Sequence, residues 1–347
     1  MKINERGIGP GFPPYVIAEL SGNHDGSLDQ ALELVNAAAD AGVDAIKLQT
    51  YTADTMTLDF DGPGFTIREP ESPWFGRSLY ELYEQAHTPW EWHEQIFQRA
   101  QERGLTAFST PFDDTAVDFL ESLKVPAYKI ASFESTDLPL ITRVAQTGKP
   151  VIISTGMATL EEIEQAVEAA RSGGCTELML LKCTSSYPAP AKVSNLASIP
   201  VMAEKFDCPI GLSDHTLGIG VPIASVALGA VAIEKHLTMR RADGSVDSSF
   251  SLEPAELSAM VEEVNRAWEA LGTVFFGPTE QEIGSLNYRR SLYVVRDVSA
   301  GQPLQQDDVR AIRPGFGLPP GNLATVVGRT LTRDAKRGTP LSWDLFE

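Results

Sequence analysis

The chain has 347 residues, 43% of them hydrophobic, and carries 47 Asp+Glu against 28 Lys+Arg for a net charge of −19. That apolar content suffices for a packed core, and so acidic a surface argues against nucleic acid or an anionic membrane as partner, since both demand clustered positive charge. Three cysteines at no disulfide or metal spacing (Cys175, Cys183, Cys208) fit a reducing compartment. The opening MKINERGIGPGFPP lacks the apolar core of a signal peptide, and no apolar run reaches the ~20 residues of a membrane span, so a soluble, cytoplasmic protein is expected.

Along the chain, two periods alternate. YVIAEL (15–20) reads as a strand, and the helical spacing of 27–42 has Ser27 as N-cap and Gly42 as stop. DAIKLQT (44–50) is a strand again. A long insertion follows, whose Trp- and Tyr-rich stretch (72–93) reads as loop and helix packing. Helix 89–104 then leads to strand 105–110, helix 114–123 to strand 127–132, and helix 137–147 to strand 151–156. Helix 159–173 leads to strand 178–184, helix 194–206 to strand 210–213, and helix 219–230 to strand 231–236; helix 254–271 closes the series. Eight strands and eight helices in strict alternation, in about 250 residues, predict a closed (β/α)8 TIM barrel over an open doubly wound sheet. No GxGxxG follows the first strand, which weakens a dinucleotide reading. From Leu286 to the end, nine Lys+Arg stand against six Asp+Glu, a net of +3 that leaves −22 on the rest. The split suggests a basic domain that docks on an acidic one.

In such a barrel the chemistry gathers at the C-terminal ends of the strands. Those ends deliver Glu19; Lys47 and Gln49; Ser109 and Thr110; Lys129, Ser132 and Glu134; Ser154 and Thr155; Lys182, Thr184, Ser185 and Tyr187; Ser213, Asp214 and His215; Glu234 and His236. Lysines among so many hydroxyls suit a phosphorylated or carboxylated small molecule. His215 and His236, on adjacent strand ends, are placed to share one divalent ion in an open Lewis-acid site for Mn²⁺, Zn²⁺ or a similar metal; Mn²⁺ is the ion expected, with Mg²⁺ or Co²⁺ as alternatives. The other reading of these two histidines is hydrogen bonding to a phosphate or a core carbonyl. His24 is not expected to ligate, and His87 and His93 are expected on the surface or in packing.

The stretches IAELSGNHDGS, IKLQTY, FSTPFD, PAYKIASFE, KPVIISTGM, CTSSYP, GLSDHT and IEKHLT, in order and over nearly the whole chain, resemble the sialic acid synthase (N-acetylneuraminate synthase) family. The resemblance implies a TIM barrel (1–280) followed by a small antifreeze-protein-like (SAF) domain (287–347), and a condensation of phosphoenolpyruvate with an open-chain N-acetylated sugar. TYTADTMTLD, LYELYEQAHTPWEWH and DSSFSLEP are most similar to the branch that takes a 2,4-diacetamido-2,4,6-trideoxy-L-altrose. Ser185 stands where typical members carry Asn, a departure that favours a sugar other than N-acetylmannosamine.

Taken with the strand ends, the resemblance implies that Lys47, Thr110, Lys129, Ser132, Ser154, Ser185 and Ser213 cradle phosphoenolpyruvate. Glu19 orients sugar hydroxyls or helps open the ring, Glu134 is a candidate base for water, and Tyr187 and Asp247 line the sugar. It further implies a domain-swapped homodimer in which Arg313 reaches the partner's barrel and the sugar's acyl group. Two other classes stay open: a metal-dependent hydrolase, disfavoured because no His-x-His ends the first strand, and a non-catalytic sugar-binding protein.

Overall fold

A computed structural model describes residues 1–347 as two compact units, Met1–Gly272 and Thr273–Glu347. In the first, eight parallel strands close into a barrel: β1 (Tyr15–Glu19), β2 (Ala45–Thr50), β3 (Thr106–Pro111), β4 (Tyr128–Ile130), β5 (Val151–Ser154), β6 (Leu178–Cys183), β7 (Ile210–Asp214) and β8 (Ala232–His236). The connecting helices are α1 (Leu28–Ala41), α2 (His93–Glu102), α3 (Asp114–Ser122), α4 (Leu138–Ala145), α5 (Leu160–Ser172), α6 (Ser198–Phe206), α7 (Gly220–Ala227) and α8 (Pro254–Leu271).

The helix signals act as their chemistry demands. Ser27 Oγ accepts from the Gln30 amide at the start of α1, and Gly42, at φ 83°, ends it by donating to Ala38 and Ala39 carbonyls. Helix α6 begins four residues later than its sequence pattern suggests, because Asn195 takes a left-handed conformation, at φ 46°, that no helix accommodates. A short antiparallel ribbon (Lys2–Ile3 with Arg6–Gly7) precedes the barrel. The insertion after β2 holds two further helices, Ala53–Met56 and Leu79–Ala86.

Strand residues are buried on both faces, as a parallel sheet wrapped in helices requires. One face of each strand joins the helices in a large apolar layer that includes Val16, Ile46, Ile153, Leu212 and Ile233. The other face fills the lumen with Tyr15, Ile17, Ala45, Phe108, Ala127, Ile152, Met179, Leu181 and Ala232, beside Ile3 and Ile8 from the ribbon region. This plug occupies the N-terminal end of the lumen. Alternation then decides what fills the C-terminal end: Glu19, Lys47, Thr110, Lys129, Ser154, Cys183, Ser213 and Glu234 each sit two residues beyond a plug residue or share its parity.

The second unit has its own core of Leu292, Val294, Val298, Leu304, Val309, Val326, Leu331, Ala335, Leu341, Leu345 and Phe346. Strand β9 (Ser291–Val294) pairs antiparallel with β10 (Val309–Ile312). A 3₁₀ helix, Glu280–Tyr288, comes before them.

Candidate active site

At the C-terminal end of the lumen, two buried lysines meet two buried carboxylates. Lys47 is in contact with the Glu19 carboxylate and lies 3.3 Å from Thr110 Oγ1. Lys129 donates to Ser154 Oγ at 2.6 Å. Glu234 Oε1 stands between them, 3.9 Å from Lys47 Nζ and 3.7 Å from Lys129 Nζ, and accepts from Ser213 Oγ at 3.1 Å. Its Oε2 is buried without a partner. Burial works against the Glu234 carboxylate, but Lys129 and Lys47 outweigh it and hold the pKa down. Burial lowers the pKa of Lys129, opposed by Glu234. Burial raises the pKa of Glu19 against the pull of Lys47, and the lysines remain ringed by short hydroxyl groups, a setting suited to an anionic ligand.

Ser132 and Ser185 close the same end. The Gly156 amide donates to Ser132 Oγ at 3.1 Å, and a side chain at Gly156 would strike both serine hydroxyls, so glycine is what lets them converge. Ser109 and Lys182 face the other way. Ser109 Oγ hydrogen-bonds Thr50 Oγ1 at 2.6 Å, and Lys182 Nζ donates to the Cys183 carbonyl at 2.7 Å. Both have the wrong parity for the lumen, which corrects the reading of them as lumen-end donors.

His215 and His236 come together with ring centroids 5.2 Å apart. His215 Nδ1 lies 3.0 Å from the Thr184 carbonyl. A carbonyl only accepts, so Nδ1 carries a proton and Nε2 is the atom left for a ligand; burial works against charge on this ring, but Cys183 and the Thr184 carbonyl outweigh it and raise the pKa. His236 Nδ1 is buried with no hydrogen-bond partner, 3.8 Å from Asp247 Oδ2. Burial first, then His215 and Lys47, push the His236 pKa well below its ordinary value, so the ring is neutral, as a metal ligand must be. The pair fits a divalent cation. No group of three or more His, Cys, Asp and Glu assembles at ligand spacing, which would leave remaining positions to water and substrate oxygens. Cys183, 3.9 Å from His215 Nδ1, was not singled out from the sequence. Burial raises its thiol pKa, but the His215 contact outweighs that and brings it down to about 7.

Around the histidines lies a polar and aromatic rim. Asp247 is bonded by Ser21 Oγ, its amide donates to Asn23 Oδ1 at 3.1 Å, and burial raises its pKa. Gln49 donates to Glu19 Oε1 at 3.1 Å. Tyr187 packs 4.5 Å from His215 and Phe250 5.0 Å from His236. Trp74, from the insertion, packs 5.6 Å from Tyr187 and donates its indole N–H to the Val246 carbonyl at 2.9 Å. Part of the 72–93 cluster thus roofs the site instead of serving only as loop packing. The rest does pack: Trp92 meets His24 edge-on, and Trp90 stacks on Phe119. His93 is fully buried, bonded to Thr50 Oγ1 at 2.8 Å, and His87 is partly exposed.

Glu134 follows β4 in a 3₁₀ turn. Its Oε2 is buried and unpaired, and burial, against the pull of Lys129, raises its pKa to about 7. Arg313 lies in the second unit, exposed, just after β10. The residues of the barrel's charge cluster that lacked an assigned role are Glu234 and Gln49; for Glu234 the clue available was its parity with His236.

Comparison with known proteins gives a consistent answer. The NeuB family profile matches residues 34–275 and the SAF domain profile residues 289–347. The chain is similar to the pseudaminic acid synthase of Campylobacter jejuni, at 43% identity over 96% of both chains. It is likewise similar to that of Helicobacter pylori, at 40% identity over 96% of this chain and 98% of the relative. Among solved structures, an N-acetylneuraminic acid synthetase from Leptospira borgpetersenii in complex with citrate superposes with TM-score 0.72 at 33% identity, covering 83% of this chain and 95% of that one.

Proposed function

The chain belongs to the NeuB family and carries a C-terminal SAF domain, and from that premise we propose that it condenses phosphoenolpyruvate with an open-chain 2,4-diacetamido-2,4,6-trideoxy-L-altrose to give pseudaminic acid and phosphate. The observation that carries the reading is the buried Lys47–Lys129 pair, ringed by Thr110, Ser154 and Ser213, beside two neutral-capable histidines. An anion with both phosphate and carboxylate suits the first feature, and a carbonyl electrophile suits the second.

Lys47, Lys129, Thr110, Ser132, Ser154, Ser185 and Ser213 would hold phosphoenolpyruvate with its carbon 3 toward the histidines. A divalent ion held by His215 and His236 would supply Lewis acidity to the sugar's aldehyde oxygen. Carbon 3 bonds to the aldehyde carbon, whose oxygen becomes an alkoxide and then a hydroxyl. Water adds at carbon 2, giving up a proton for which Glu134 is the candidate acceptor. The carbon 2–oxygen bond to phosphate then breaks, the carbon 2 hydroxyl becoming the keto oxygen as its proton passes to the departing phosphate, while the proton taken by Glu134 is the one that neutralises the alkoxide. Glu19, Asp247 and Tyr187 would face the sugar. Holding both reactants in line contributes about 7–11 kcal/mol where alignment is near ideal. We take Mn²⁺ as the expected ion, a homodimer as the assembly, and the cytoplasm as the setting, in line with three free cysteines.

The test is phosphate release with phosphoenolpyruvate and a panel of amino sugars. The diacetamido-trideoxy sugar should support turnover and N-acetylmannosamine should not. Release with N-acetylmannosamine alone would reassign the substrate, and release with no sugar of the panel would remove the synthase reading.

A further inference from the structure

Beneath the helices, the outward faces of β7 and β8 begin apolar, with Leu212 and Ile233 in the main hydrophobic layer. The next outward residues are Asp214 and Lys235, which are register partners across the two strands. Both are buried, Lys235 with 0% and Asp214 with 4% of its surface exposed. Lys235 Nζ donates to Asp214 Oδ2 at 2.5 Å and to the Thr216 carbonyl. Asp214 Oδ2 accepts from Thr216 Oγ1 at 2.9 Å, and Oδ1 accepts from the Thr216 amide at 3.2 Å. The amide, hydroxyl and carbonyl of Thr216 are therefore all gripped. The residues on either side of His215 are tied to one another and to the residue before His236.

Stability alone is a poor account of this arrangement. Desolvating two charges offsets much of their attraction, and apolar residues continuing Leu212 and Ile233 would pack as well. What the ion pair supplies and an apolar pair does not is direction. Its hydrogen bonds fix the backbone on both sides of His215 from outside the barrel. From inside, the His215 carbonyl accepts from the Ala189 amide at 3.0 Å, and Nδ1 is held by Thr184. His236, whose Nδ1 has no partner of its own, depends on its strand for orientation.

We propose that Asp214, Lys235 and Thr216 are positioning residues that hold His215 and His236 at the separation a shared divalent cation requires. The inference rests on the metal reading of the two histidines, and the test separates the two. Mn²⁺ binding to the full-length protein is measured by loss of the free-ion electron paramagnetic resonance signal, alongside thermal melting. The variants are Asp214→Asn combined with Lys235→Met, which leaves no uncompensated buried charge, and Thr216→Val, which removes one hydroxyl.

The double variant should melt cooperatively and bind Mn²⁺ roughly tenfold more weakly or worse, the scale expected when the support of a ligand is lost. Thr216→Val should weaken binding by a smaller factor, and excess Mn²⁺ should recover part of the phosphate release in both. A folded double variant with wild-type Mn²⁺ affinity would show that the trio only packs, whatever its melting temperature. If the double variant does not fold, Thr216→Val decides: unchanged affinity overturns the proposal, weakened affinity supports it. Wild-type protein that binds no Mn²⁺ fails differently, because it removes the metal reading and this inference with it.

Discussion

Glu134, half-buried, and Glu234, buried, both lie near Lys129, yet their protonation differs because their partners do. Glu234 lies within 4 Å of two ammoniums and keeps its charge. Glu134 feels Lys129 more weakly, with Asp137 adding a like charge, and burial carries it to about 7. A carboxyl poised there suits a base that must take a proton from water near neutrality. The base must be ionised, so turnover should fall as pH drops below about 7, and Glu134→Gln should abolish that limb while lowering kcat by about 10²-fold. The same shift means that the folded chain holds a proton the unfolded chain has released. The contribution of Glu134 to stability therefore declines as pH rises from about 4.5 to about 7, and the Gln variant should lose that slope. Phosphate release and thermal melting across this pH range check both signs. An acid limb that persists in the variant would assign it to another group.

For the elements, legibility depended on period. The eight barrel strands and the eight helices between them were visible because each carries a sustained apolar pattern. Their ends moved by only a few residues, as at α6, where the left-handed Asn195, at φ 46°, delays the helix. The direction each strand-end residue faces was less legible. A list of polar residues at a strand end includes Ser109 and Lys182, whose side chains are in the wall, because composition carries no parity until a lumen residue is identified. Helix Leu79–Ala86 and the Trp74 contact with Tyr187 were hidden for a different reason: an insertion's packing depends on distant residues such as Val246. Gly211 shows how closely the strands constrain one another. It has the lumen parity of Ser213, and a Cβ there would lie 2.6 Å from Leu181 Cδ2 and 2.7 Å from the Ala232 carbonyl. Leu181 can turn aside, but the backbone of β8 cannot do so freely. Gly211→Ala should therefore destabilise the barrel by about 1–3 kcal/mol through overpacking, read as a lowered melting temperature. A wild-type melting temperature would mean that β7 and β8 separate at no cost.

For the whole molecule, the question is what completes the site. From Leu286 onward the chain has a net charge of +3 and the part before it −22, an attraction that salt partly screens. The ion pairs of the second unit join Arg296 to Asp308, Arg333 to Asp344 and Lys336 to Asp297, and Arg313 is in none of them. Arg313 is exposed, and two apolar side chains close to it in sequence are exposed as well, Ile312 at 38% and Phe316 at 65%. A guanidinium flanked by bare apolar surface is suited to an interface, where its planar fork can grip an amide oxygen and a carboxylate together. If that interface is with a second copy, each active site needs a barrel from one chain and an arginine from the other. Arg313→Ala should then raise the KM for the sugar more than that for phosphoenolpyruvate, and His215→Ala should be inactive. A mixed dimer of the two variants contains one site with both defects and one site with neither. Co-expression under two affinity tags isolates that dimer, and its phosphate release should approach half that of wild type when each site works independently. If Arg313 instead acts on its own chain, the one working barrel of the mixed dimer lacks its arginine, and a verified mixed dimer that keeps the raised sugar KM of its Arg313→Ala parent would overturn the exchange.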